Sequence, residues 1–196
     1  YLYSERQIKE NYLDFSNSFK NIKPLICFAT KANTNLAILK ILAKLGSGAD
    51  VVSGGELLKA IKAGIAPKKI VFSGVGKTED ELKLAIDKKI LLINIESESE
   101  AILINKIAKK MNKEVSVGFR LNPNVDAKTH RKISTGKAEN KFGLSSRSLI
   151  NFCKNAHNFK YLKLDAISVH IGSQILSHKP YKKTLNIISN IIKENK

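Results

Sequence analysis

Leu25-Ile26-Cys27-Phe28-Ala29-Thr30-Lys31-Ala32-Asn33-Thr34-Asn35 is the stretch from which the fold is read. Five residues suited to a buried strand run straight into a polar turn, and the apolar, helix-like run Leu36-Ala37-Ile38-Leu39 follows. A short apolar run bounded by loop residues is how a parallel strand covered on both faces reads. Lys31 therefore falls where a strand ends and a βα loop begins. In an α/β barrel that edge gathers side chains from several strand ends, and chemistry is placed there. A lysine half-buried beside apolar neighbours has its charged form disfavoured, which makes a nucleophilic amine available near neutral pH. A lysine simply solvated at a strand end is the plainer alternative, and position alone favours it.

Outward from this stretch the same unit recurs. Before it, Ser4 to Lys20 carries Ile8, Tyr12, Leu13, Phe15 and Phe19 near helical spacing, and Pro24 marks the entry to the strand. After it, the pattern predicts helix Asn35–Leu45 closed by Gly46, strand Ala49–Val52, helix Glu56–Ala63 closed by Gly64, and strand Lys69–Phe72. Helix Glu79–Asp87 follows, with Thr78 and Glu81 as its capping box. Strand Ile90–Ile95, helix Glu98–Lys110 and strand Glu114–Leu121 lead into a long polar loop, Asn122 to Lys141. Helix Arg147–Asn155, strand Leu164–His170 and helix Tyr181–Glu194 complete the chain.

Strands alternating with helices, without hairpin signals, predict a parallel sheet wrapped by helices. Doubly wound sheets and barrels share that alternation. The unusual residues favour the barrel: Lys31, Asp50 with Ser53, Ser73-Gly74, Arg120-Leu121-Asn122 and His170-Ile171-Gly172-Ser173 all fall at or near the ends of different strands. The expected fold is α/β, a TIM-type (β/α)8 barrel present as about six βα units. At 196 residues the chain falls short of the roughly 250 that such a barrel usually takes. It begins at Tyr1, and its one methionine is Met111, so residues 1–196 read as a partial barrel domain truncated at both ends.

The formal net charge of +17 invites a nucleic-acid reading. Only four of the 34 basic residues are arginines (Arg6, Arg120, Arg131, Arg147), and the lysines spread over nearly every helix face. No basic cluster is interleaved with aromatics as a single-strand groove requires, so a solvated surface is the first reading and no nucleic-acid partner is expected. No apolar run approaches the roughly 20 residues of a membrane span. Cys27 and Cys153 lack CxxC or Cys/His spacing, which reads as reduced packing residues in a cytoplasmic protein with no metal site.

Among the motifs, Gly74-Val75-Gly76-Lys77-Thr78 lacks the earlier glycine of a phosphate-binding P-loop, since that position is Val71. It is read as a tight βα turn, as is Ser53-Gly54-Gly55-Glu56. His170-Ile171-Gly172-Ser173-Gln174 says more. An imidazole closing an apolar strand can stack on an aromatic ligand, and the Gly172 amide with the Ser173 hydroxyl can hold a phosphate. A satisfied core histidine is the plainer alternative. Arg120 needs a partner if buried, with Asp50 as a candidate, or else it reaches solvent. An amine, an imidazole, an acid, a guanidinium and an anion-friendly turn would together suit a phosphate-bearing aromatic aldehyde, the pattern of a pyridoxal phosphate enzyme.

Five segments carry a resemblance: Phe28-Ala29-Thr30-Lys31-Ala32-Asn33; Asp50 to Leu57; Arg120 to Asp126; Thr129-His130 through Ile133-Ser134-Thr135-Gly136 to Lys141-Phe142-Gly143-Leu144; and His170 to Gln174. On these the chain resembles the diaminopimelate decarboxylases, in the alanine-racemase-like barrel class of pyridoxal-phosphate-dependent decarboxylases. The lysine and histidine segments are shared with ornithine and arginine decarboxylases; the remaining combination resembles the diaminopimelate branch. The resemblance implies decarboxylation of meso-diaminopimelate to L-lysine and CO2, with pyridoxal 5'-phosphate in Schiff-base linkage to Lys31. It implies His170 against the pyridine ring, Gly172 and Ser173 on the phosphate, and Asp50 and Arg120 beside the lysine and the histidine. A full-length enzyme of this kind is expected to be a homodimer whose C-terminal β-domain completes the site. No such domain lies within residues 1–196, so this stretch is expected to be inactive alone. Another basic amino-acid decarboxylase and a non-catalytic pyridoxal-phosphate-binding barrel are the alternatives.

Overall fold

A computed structural model of the chain describes residues 1–19, 21–126 and 142–194. The Thr129–Lys141 part of the fourth matching segment therefore lies outside the described residues. Six parallel strands follow one another in the sheet in chain order, alternating with helices, which is a partial α/β barrel. The chain divides into two compact units, Tyr1–Ile93 and Asn94–Lys196.

The first unit opens with α1 (Glu5–Asn17), whose N-cap Ser4 accepts from the Gln7 amide. β1 (Cys27–Ala29) is shorter and less buried than the sequence predicts. It comes first in the strand order and pairs with β2 (Gly48–Val51) through Phe28↔Ala49 and Ala29↔Asp50, so its residues are half-buried rather than covered on every side. A side chain at Gly48 would run into the Lys69 carbonyl and the Cys27 sulfur, which is why the close strand approach there uses glycine. Between these strands lies α2 (Leu36–Lys44), N-capped by Asn35.

Helix α3 (Gly54–Lys62) starts two residues before the predicted Glu56, because Ser53 is its N-cap and accepts from the Glu56 amide. β3 (Ile70–Phe72) leads into α4 (Glu79–Asp87), where the capping box of Thr78 and Glu81 forms as predicted. Glu81 also accepts from the Gly54 amide at 2.8 Å, so one carboxylate serves the first turns of two helices. Leu39, Leu57, Ile70, Phe72 and Leu82 fill this unit's core.

β4 (Leu92–Ile95) crosses the boundary between the units, and the second unit continues with α5 (Glu98–Met111) and β5 (Val115–Arg120). Then come α6 (Ser146–Lys154), β6 (Leu162–Ser168) and α7 (Lys179–Glu194). Phe152 of α6 packs between Phe119 of β5 and Phe159, with ring centroids 4.2 and 4.5 Å away. β6 begins and ends two residues earlier than the predicted Leu164–His170. Its pairing with β5 runs Val117↔Leu164 and then Gly118↔Ala166, so Asp165 is an extra residue in the ladder. Val169 and His170 consequently lie in the loop after the strand.

Candidate active site

In the first unit the amine-bearing turn is a single 3-10 turn, Thr30–Ala32, that follows β1 directly. Thr30 is fully buried and Lys31 is exposed. The expectation of a half-buried lysine is therefore corrected: in this tight turn it is Thr30 that packs inward. The Thr30 hydroxyl makes short contacts to the Asp50 carbonyl (3.0 Å) and the Glu56 carboxylate (2.5 Å). Glu56 also accepts from the Val52 amide at 2.8 Å, so it ties the turn before Lys31 to the end of β2. The Asp50 side chain accepts from the Ser73 hydroxyl at 2.6 Å, joining the ends of β2 and β3. Burial, with the charge of Asp50 adding to it, pushes the nearby Cys27 thiol up to about 11. In the next loop Lys77 donates to the Gly74 carbonyl at 2.6 Å, and Gly74 has φ +104°, which fits a tight βα turn.

In the second unit Arg120, the last residue of β5, is held by an acid that sequence reasoning did not name. Its Nη1 donates to Glu96 Oε1 at 2.9 Å and Oε2 at 3.1 Å, with side-chain exposures of 16% for Arg120 and 5% for Glu96. The guanidinium lies over the Phe142 ring, 5.2 Å from its centroid. Gly143 (φ +76°) lies against the Arg120 carbonyl, which accepts from the Leu144 amide at 2.7 Å.

His170 is exposed, so it is not a core histidine. Ile171 beside it is buried and anchors the turn, and Gly172 adopts φ +142°, a conformation that suits glycine. His170, Ile171 and Gly172 line a cavity of about 260 Å³ with Tyr181, Thr184 and Leu185 of α7. Thr184 is 2% exposed, and its hydroxyl has no hydrogen-bond partner among the described residues. Ser173 is exposed.

Taken unit by unit, the chemistry of the donors suits pyridoxal phosphate: the first unit carries an accessible primary amine of the kind an aldehyde takes, and the second an accessible imidazole and a glycine-serine turn of the kinds an aromatic ring and a phosphate take. Sequence reasoning missed Glu96 and Glu56. Glu96 directly follows the apolar strand β4 and precedes the α5 N-cap, Ser97, and an acid just past that strand end was the available signal. Glu56 was absorbed into a turn motif, where its reach back to Thr30 is a tertiary contact that spacing does not reveal.

The family model for the pyridoxal-binding domain of pyridoxal-dependent decarboxylases matches residues 5–196. The chain belongs to that family. As a pyridoxal-dependent decarboxylase domain it takes pyridoxal 5'-phosphate as cofactor. It is 44% identical to the diaminopimelate decarboxylase of Campylobacter jejuni, over 100% of this chain and 49% of that protein. The crystal structure of the Helicobacter pylori diaminopimelate decarboxylase complexed with L-lysine has a TM-score of 0.95 at 43% identity, covering 98% of this chain and 49% of that one. The lysine decarboxylase of Selenomonas ruminantium matches at 26% identity with a TM-score of 0.81, covering 97% of this chain and 46% of the other. The chain thus spans about half the length of the relatives it matches.

Proposed function

We propose that this domain serves the decarboxylation of meso-diaminopimelate to L-lysine and CO2. The observation that carries the reading is the 44% identity to a diaminopimelate decarboxylase along the entire chain, against 26% to a lysine decarboxylase. Lys31 holds the cofactor through its amine, and His170 offers its imidazole to the pyridine ring. The Gly172 amide and Ser173 hydroxyl take the phosphate, while Asp50 and Arg120 supply charge beside the lysine and the histidine. Bound pyridoxal phosphate supplies the sink for the electron pair left when the α-carboxylate departs as CO2. The protein's part is orientation: the Thr30–Glu56 contact fixes the turn that carries Lys31, and the buried Ile171 fixes the turn that carries His170. The Lys31 amine, which would hold the cofactor, could also move a proton at the reacting carbon.

The full-length enzyme acts as a cytoplasmic homodimer on a free amino acid, without nucleic-acid or membrane partners. The two unpaired cysteines agree with a reducing compartment. Among the described residues no helix is long and apolar enough to cross a membrane. The test is the full-length protein supplied with pyridoxal phosphate and offered meso-diaminopimelate, lysine, ornithine and arginine in turn. Preferential CO2 release from diaminopimelate is expected; preference for another amino acid overturns the substrate assignment. Lys31→Ala is expected to abolish turnover and the cofactor's lysine-dependent visible absorbance, and an unchanged spectrum would remove Lys31 from its role.

A further inference from the structure

We propose that Glu96 is a positioning residue for the Arg120 guanidinium, turning the donors it leaves unused toward an anionic group of cofactor or substrate. The proposal rests on the reading of Arg120 as a site residue. A carboxylate as buried as Glu96 is costly unless a cation meets it, and Arg120 does so. The form of the contact is informative. An arginine–carboxylate pair built for strength alone presents two nitrogens to two oxygens. Here both Glu96 oxygens bind Nη1, which leaves Nε–H and the Nη2 hydrogens without a partner among the described residues.

The other contacts hold that fork still. The Phe142 ring covers one face of the guanidinium, and the Arg120 backbone is fixed by the Leu144 amide. Glu96 is itself fixed, because its amide donates to Glu100 in the first turn of α5 at 2.7 Å. Two neighbouring strand ends are thereby joined by one charge pair whose remaining donors have a set direction. A carboxylate or phosphate oxygen is the ligand chemistry that such donors recognise.

The test uses the full-length enzyme with pyridoxal phosphate and the variants Glu96→Gln, Arg120→Lys and their double. Glu96→Gln keeps the shape and removes the charge. It is expected to lower kcat/KM by about 10- to 100-fold, the usual cost of losing a partner that orients a binding group. The cofactor's dissociation constant, read from its visible absorbance, is expected to rise. The double variant is expected to lose no more than Arg120→Lys alone, because the two residues act as a unit. A lowered Tm with unchanged kcat, KM and cofactor affinity would make the pair purely structural and overturn the proposal, as would additive losses in the double variant. Should Glu96→Gln not fold, Glu96→Asp, which keeps the charge and shortens the reach, decides in its place: lost kcat/KM supports the proposal and full kcat/KM overturns it. A wild-type enzyme without decarboxylase activity would instead overturn the functional reading, and the cofactor affinities would still decide the role of Glu96.

Discussion

Cys27 lies on β1 with its sulfur 3.8 Å from the Lys69 carbonyl. With the thiol pushed up to about 11, only about one part in a thousand is thiolate at pH 8. Burial raises Cys153 as well. Both cysteines are expected to resist iodoacetamide at pH 8 in the native protein and to react promptly in denaturant, as mass spectrometry would register. The same shift sets a sign for stability. Between the unfolded value near 9 and the folded value near 11, the native state binds the extra proton, so stability falls as pH rises through that window. Urea titrations at pH 8, 9 and 10 should show a shallower decline for Cys27→Ala than for the wild type. At this scale, the placing of Lys31 and His170 just past strands was legible to within two residues, because each follows an apolar run. Their exposure was not, because it depends on how the turns after β1 and β6 pack, and Glu96 was hidden because its partner is 24 positions away.

Among the elements, α4 has the bounds that its sequence predicts, since the signal that starts it is local: Thr78 and Glu81 satisfy each other's amides within one turn. β6 was shifted because strand limits are set by pairing with β5, which spacing along one strand cannot show. Glu81 does more than its motif announces, since it also receives the Gly54 amide that opens α3. Glu81→Ala is expected to cost about 1–2 kcal/mol, the upper range for a lost cap, measured as a shift in urea midpoint. The Thr78 and Gly54 amides hold the Glu81 carboxyl below its ordinary 4.5. Its contribution is therefore present above that value and is lost as pH falls through the lower folded one, and the Glu81→Ala penalty should vanish in strong acid. Phe152, between two rings, is the corresponding anchor of the second unit; Phe152→Ala is expected to cost about 3–5 kcal/mol.

For the molecule as a whole, the βα alternation was legible because its period is carried by short apolar runs and glycine stops. The division into two compact units was not, since it reflects the density of tertiary contact rather than any linker signal. The charge of +17 acts at this scale too. Several exposed lysines are partnered along their own segments, Lys9 with Glu5, Lys83 with Glu79 and Asp80, and Lys163 with Asp165. Such dispersed charge gives non-specific attraction without a groove. Retention on DNA-cellulose is expected at low ionic strength and should be gone by about 200 mM salt. Tight retention above that would reopen the nucleic-acid reading.

The additional residue at Asp165 lets two residues of β6 stand against one of β5, after which the pairing resumes at Gly118↔Ala166. Such an interruption bends a strand and sharpens its twist, and so it sets the angle at which the histidine turn leaves the sheet. Excision of Asp165 should therefore leave Ala166 opposite Gly118 but re-aim the turn that carries His170 and lower activity, whereas Asp165→Ala, which empties the side chain but keeps the count, should leave the enzyme working.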